Sequence, residues 1–137
     1  MFRRIAGPLL AFVLALSGGL AWAAPAQAVD RECPDGFVCF WVDEFRNGAK
    51  GKFEGNNPRW GDYRQGSCGN ETWDNCASSI INKGRTCTVR VYSGPNYGGG
   101  SMDIQRGQYM DNLGFRTEGL GWNQNWGDRI SSNKWIC

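Results

Sequence analysis

The chain has no histidine among its 137 residues, so the commonest general base and the commonest neutral metal ligand are both missing. A Ser-His-Asp triad, a Cys-His pair and a histidine-ligated zinc site are excluded. What remains for chemistry is oxygen and sulfur. Two runs concentrate oxygen donors: Asp74-Asn75-Cys76-Ala77-Ser78-Ser79 and Gly127-Asp128-Arg129-Ile130-Ser131-Ser132. Carboxylate, amide and hydroxyl oxygens suit a hard cation such as calcium, which takes roughly six to eight of them. The same side chains also hold turns down by bonding to nearby backbone. Acid/base catalysis is not expected. Adjacent Asp43-Glu44 would face opposite sides of a strand, nothing selects a glycosidase pair from the 13 acidic residues, and Ser78 and Ser131 have no base beside them.

The sulfur is Cys33, Cys39, Cys68, Cys76, Cys87 and Cys137. An even count with no Cys-x-x-Cys pair and no histidine partner reads as three structural disulfides, not a metal cluster. Roughly fifteen pairings are open to six cysteines. An oxidising destination is written at the start of the chain: Arg3 and Arg4, an apolar run from Ile5 to Leu20, then Ala26-Gln27-Ala28. That is the layout of a secretory signal over residues 1–28, with cleavage expected before Val29 and a single domain over 29–137. Its apolar core is too short for a membrane anchor, and nothing later approaches spanning length. Removal of Arg3 and Arg4 leaves basic and acidic groups in balance, which argues against nucleic acid as a partner. The strongest basic cluster, Lys83 to Arg85 with Arg90, reads as solvated strand ends.

The elements that must position these residues are strands. Twenty glycines favour tight turns over helices, since glycine costs about 1 kcal/mol in a helix interior. Residues 37–42, 79–82, 86–92 and 130–136 are apolar or alternating runs of strand length. Turn clusters at Arg46-Asn47-Gly48, Ser93-Gly94-Pro95-Asn96 and Gly98-Gly99-Gly100 separate them. No stretch shows a useful 3.6-residue period. The pattern repeats: a strand ending in Trp41 leads to Phe45 and Gly48, a strand ending in Tyr92 leads to Tyr97 and Gly99, and each half runs on to a Ser-Ser pair. Halves at about residues 33–84 and 85–137, each with four short strands, predict an all-β fold of two Greek keys.

These residues resemble the βγ-crystallin family. Tyr92-x-x-x-x-Tyr97-x-Gly99 is similar to its folded-hairpin signature, and Asp74-Asn75-x-x-Ser78-Ser79 to its calcium-site pattern. The start, Cys33-Pro34-Asp35-Gly36-Phe37-Val38-Cys39-Phe40-Trp41, resembles small secreted bacterial proteins of this fold that are grouped with the Streptomyces metalloproteinase inhibitor as a peptidase inhibitor family. Three departures stand out. Phe45 follows Trp41 by one residue too few, which predicts a bulged first hairpin. Gly127 replaces the first acidic or amide residue of the second calcium pattern. The connection from Asp111 to Trp126 is long for a Greek key.

The resemblance implies a disulfide-bonded βγ-crystallin-like sandwich, probed through several residue assignments. It implies bridges 33–39, 68–76 and 87–137, the last because first and last strands of such a motif are neighbours. It implies calcium as cofactor, with Asp74, Asn75 and Ser78 in one site and Asp128 with Ser131 in a weaker one. It implies an inhibitor, not an enzyme, whose partner is an extracellular metallopeptidase, acting as a monomer by inserting a rigid loop. Gln65–Asn70 and Asn112–Arg116 are the loops in question, the second offering Leu113 and Phe115. The alternative is a calcium-binding structural module or a carbohydrate-binding surface module. For the latter, Trp122 and Trp126 lie in an asparagine- and glycine-rich loop, whereas Trp41, Trp73 and Trp135 are expected in the core. Asn70-Glu71-Thr72 fits the glycosylation pattern but reads as a polar turn.

Overall fold

The computed structural model describes residues 30–137; the expected signal segment, residues 1–28, lies outside them together with Val29. Seven strands run in chain order: β1 (Val38–Trp41), β2 (Lys50–Phe53), β3 (Ser79–Asn82), β4 (Thr88–Tyr92), β5 (Ser101–Ile104), β6 (Tyr109–Met110) and β7 (Ser132–Ile136). Among the described residues the only helical turns are three of the 3-10 type, at Glu44–Arg46, Trp60–Asp62 and Leu113–Phe115. One sheet has the order β2-β1-β3-β6 and the other β5-β4-β7, all antiparallel. The fold is the all-β, two-sheet architecture that the sequence predicts.

The two halves obey one set of backbone bonds. Val38 faces Phe53 across β1–β2 as Val89 faces Ile104 across β4–β5. Ser78 N–H donates to the Trp41 carbonyl at 2.9 Å, and Ser131 N–H to that of Tyr92 at 2.9 Å. The halves also trade an element. β6, from the second half, pairs with β3 of the first. Its counterpart in the first half shrinks to one bridge, Asn57 with Asn133 of β7. The first half therefore carries three strands where four were expected. Asparagine side chains stand in for the missing strand: Asn133 Oδ1 accepts from the Trp60 indole at 2.8 Å, and Asn56 Oδ1 accepts from Trp135 N–H at 2.7 Å.

Between the sheets lies a core whose first half is aromatic and whose second is mostly aliphatic. Phe40 is stacked on Trp60 at 4.2 Å between ring centres and meets Phe53 at 5.0 Å and Trp73 at 4.7 Å. Val91, Ile104, Leu113 and Trp126 take the matching places, all fully buried. Each side chain buried in this way contributes about 1.5–3 kcal/mol relative to exposure. Trp41, Trp73 and Trp126 are buried, and Trp135 packs partly buried against the core. Trp60, also fully buried, was not singled out by the sequence reading.

The bridges join Cys33 to Cys39, Cys68 to Cys76 and Cys87 to Cys137, and no cysteine is free. The last closes the β4–β7 ladder, where Thr88 faces Ile136. Asn82 fastens the link between the halves: buried, it donates to the Cys87 and Ile104 carbonyls and accepts from Gly84 N–H. No helix among the described residues is long and apolar enough to cross a membrane.

Two expectations about spacing are corrected. The first hairpin is not bulged. Phe45 and Arg46 adopt left-handed φ of 56° and 59°, as Asn96 and Tyr97 do at 55° and 59°, so Arg46, not Phe45, occupies the place of Tyr97. Gly48 and Gly99 follow at φ of 74° and 76°, a region that side chains other than glycine's enter at a cost. Nor is the Asp111–Trp126 connection unusual within this chain, because Pro58–Trp73 has the same length and the same backbone bonds at its two ends. Trp60 and Leu113 open their 3-10 turns at equivalent points, with their N–H groups on Ser131 and Ser78 carbonyls.

Candidate functional site

The oxygen-rich corners are brought together. Asn75 and Asp128 both take left-handed φ, 54° and 52°, which turns each corner towards the other. Asn75 N–H donates to the Ile130 carbonyl and Asp128 N–H to that of Ala77, both at 3.0 Å. The side chains repeat the exchange: Ser78 hydroxyl donates to Asp128 Oδ1 and Ser131 hydroxyl to Asn75 Oδ1, each at 3.2 Å. Asp74 Oδ2 lies 3.4 Å from the Asn75 amide nitrogen. The two expected ligand sets are thus one reciprocal clasp.

The same clasp holds the residues that the resemblance assigns to calcium, Asp74, Asn75 and Ser78 on one side and Asp128 with Ser131 on the other. Calcium takes roughly six to eight oxygens; here the two hydroxyls donate to Asp128 and Asn75, which leaves their oxygen lone pairs uncommitted. Among the described residues no three of His, Cys, Asp and Glu gather around a common point. The next serine of each pair acts structurally. Ser79 Oγ donates to the Asp43 carbonyl at 2.8 Å and accepts from Arg46 N–H; Ser132 Oγ does the same with the Gly94 carbonyl at 2.7 Å and Tyr97 N–H. These bonds pin the left-handed corners, whose non-glycine residues each cost on the order of 1–2 kcal/mol.

Loop Asn112–Arg116 is built on the third 3-10 turn, which follows the exchanged strand β6. Leu113, expected as a contact residue, is fully buried in the core. Its N–H is bound to Ser78, so it cannot enter another protein's cleft. Phe115, two residues on, is 83% exposed. Asn112 Oδ1 accepts from Gly114 N–H at 2.9 Å, Arg116 N–H donates to the Leu113 carbonyl, and Trp126 N–H to the Arg116 carbonyl. Arg116 and Glu118 form an ion pair. The Glu118 carboxyl is held below its ordinary range first by its own backbone N–H and then by Arg116. The result is a large apolar side chain displayed from a fixed base.

Loop Gln65–Asn70 is the first-half counterpart of the segment just after it, and it differs in kind. The Cys68–Cys76 bridge ties it, Cys68 N–H and Glu71 N–H close two turns, and its exposed residues are small or polar. In the second half Gly121 and Arg129 stand where Cys68 and Cys76 stand, and the loop lies open. Trp122, beside that gap, is 95% exposed, whereas Trp126 is fully buried with its indole on the Glu118 carbonyl at 2.8 Å. Of the two tryptophans considered for a surface platform, only Trp122 is available.

Comparison with known proteins adds a family and a fold. The family described as Peptidase inhibitor family I36 matches residues 26–104. No curated protein matches the chain. Among solved structures, one reported under the evolution of the eye lens βγ-crystallin domain fold aligns at TM-score 0.59 and 16% identity, covering 80% of this chain and 93% of its own. A βγ-crystallin from Ciona intestinalis aligns at 0.53 and 22% identity, over 74% of this chain and 100% of its own. One from an archaeon aligns at 0.53 and 21%, over 75% and 100%. At such identities the likeness is one of fold.

Proposed function

The chain belongs to Peptidase inhibitor family I36, a family of inhibitors and not of enzymes, and from that membership we propose that it is a secreted inhibitor of an extracellular metallopeptidase. Its contact is the loop Asn112–Arg116. The observation that carries this is Phe115: 83% exposed, next to a residue turn whose other apolar member, Leu113, is fully buried. Single exposed apolar residues are ordinary on a protein surface; Phe115 is set apart by the fixed loop that displays it. The loop beneath is already ordered by its own bonds, so little conformational entropy is lost on binding. A peptidase with an apolar pocket beside its metal is the class that such a side chain suits.

The rival loop, Gln65–Asn70, lies within the matched residues and is bridged, but it displays no large apolar side chain. The three disulfides suit an oxidising, extracellular setting. Residual activity of thermolysin, subtilisin and papain, each titrated with the oxidised protein, tests the proposal. Loss of thermolysin activity alone is expected. Inhibition of subtilisin or papain in its place would contradict the metallopeptidase assignment. Potency that survives Phe115→Ala and falls on Ser67→Arg would move the contact to the bridged loop.

A further inference from the structure

Beside Trp122, and bordering the contact loop at Gly114, lies an open cleft of about 450 Å³. Its polar lining comes from Thr117, Asn123, Gln124 and Asn125, its apolar lining from Leu120 and Trp122, with two glycines completing the wall. No charged side chain lines it. Gly121, one of those glycines, stands where the bridged Cys68 stands in the other half. Its walls are ordered: Leu120 N–H donates to the Thr117 carbonyl, Gln124 N–H to that of Gly121, and the Asn125 carbonyl accepts from Arg129 at 2.7 Å.

We propose that this cleft binds a neutral saccharide, with a pyranose ring laid against Trp122 and its hydroxyls bonded to the Thr117, Asn123, Gln124 and Asn125 side chains. The chemistry selects this class. A ring of axial or equatorial C–H groups has an apolar face that suits an exposed aromatic surface, while its hydroxyls, each both donor and acceptor, match carboxamides that are likewise both. A nucleotide or an acidic polymer would need cations that the lining lacks. A lipid tail would need a deeper and drier pocket. The volume lies within the range of small-ligand sites, and the openness of the cleft suits a unit of a longer chain. Gly114 of the contact loop forms part of the wall but Phe115 does not, so the cleft borders the peptidase contact and is distinguished from it by its own side chains.

The test is a titration of the isotope-labelled protein with chitohexaose and with cellohexaose, following the Trp122 indole N–H and the side-chain amides of residues 123–125. Saturable shifts confined to these signals are expected with at least one of the two sugars. Trp122→Ala, which touches no core residue, is expected to weaken binding by roughly tenfold or more while leaving thermolysin inhibition unchanged. Phe115→Ala is expected to do the reverse. The proposal is overturned if neither sugar shifts these signals at millimolar concentration, if Trp122→Ala binds as well as the parent, or if hyaluronan fragments bind equally well.

Discussion

Leu113 and Phe115 differ by two positions and have opposite fates, because the 3-10 turn sends one side chain into the core and the other into solvent. Their substitutions should therefore separate. Phe115→Ala is expected to leave thermal stability within about 0.5 kcal/mol of the parent while weakening inhibition by tenfold or more, as expected of a central contact. Leu113→Ala is expected to cost about 2–5 kcal/mol of stability, read by denaturant unfolding. Equal effects on both measurements would show that the loop is only a packing element. Ser79→Ala or Ser132→Ala removes both a donor and an acceptor from a buried hairpin corner, and a loss of about 1–3 kcal/mol is expected. The sequence shows the oxygen-bearing residues as two separate sets. The reciprocal bonding of Ser78 with Asp128 and Ser131 with Asn75 spans the two halves, and no local spacing reveals a contact of that kind.

Strands β1, β3, β4 and β7 were legible: β4 alternates buried with half-buried positions, and the other three lie in runs of strand length with two or more buried residues each. β2 was not: its Lys50-Gly51-Lys52-Phe53 has a single buried residue and two lysines. β6 has two residues and exists only by pairing with the other half. The repeat itself was visible, but Phe45 was matched to Tyr97 because both are aromatic. The backbone matches Arg46 instead, which lies 3.1 Å from Asp111 Oδ1 in an ion pair without hydrogen-bond alignment, and sits over the Tyr109 ring. The equivalence of the two connections is testable. Gly121→Cys with Arg129→Cys should form a fourth disulfide, seen as the loss of two hydrogens by mass and a rise in Tm. Free thiols in the oxidised double variant would show that the second loop departs from the geometry of the first.

At the scale of the whole molecule, the absence of histidine and the pairing of all cysteines leave no side chain to titrate between about pH 5 and 8. Three carboxyls are held below their ordinary range in the folded state: Asp103 by the Arg90 guanidinium, Asp30 by the Lys50 ammonium, and Glu118 by its own backbone N–H and Arg116. For each, the unfolded chain binds the proton more readily. The stabilisation is therefore complete above roughly pH 4–5 and lost as pH falls through the folded values. A Tm that is flat from neutral to mildly acid pH and drops below about pH 4 is expected. Asp103→Asn should flatten part of that drop. Asp74, Asn75, Ser78, Asp128 and Ser131 are also the residues that would hold calcium: a calcium-dependent rise in Tm, reversed by a chelator, is the expected mark of such a site, and an unchanged Tm would show that the clasp holds the corners by itself.

On the proposed reading, this βγ-crystallin-like frame holds one apolar loop against a metallopeptidase. The most direct test of that reading is a titration of a fixed amount of thermolysin with the oxidised protein, run beside the Phe115→Ala variant, with calcium constant so that the enzyme itself stays intact. The expected result is a linear fall in activity to an end point near one inhibitor per enzyme, with the variant's curve displaced to much higher concentration. Activity unchanged by an excess of either protein, or equal curves for the two, would contradict the claim.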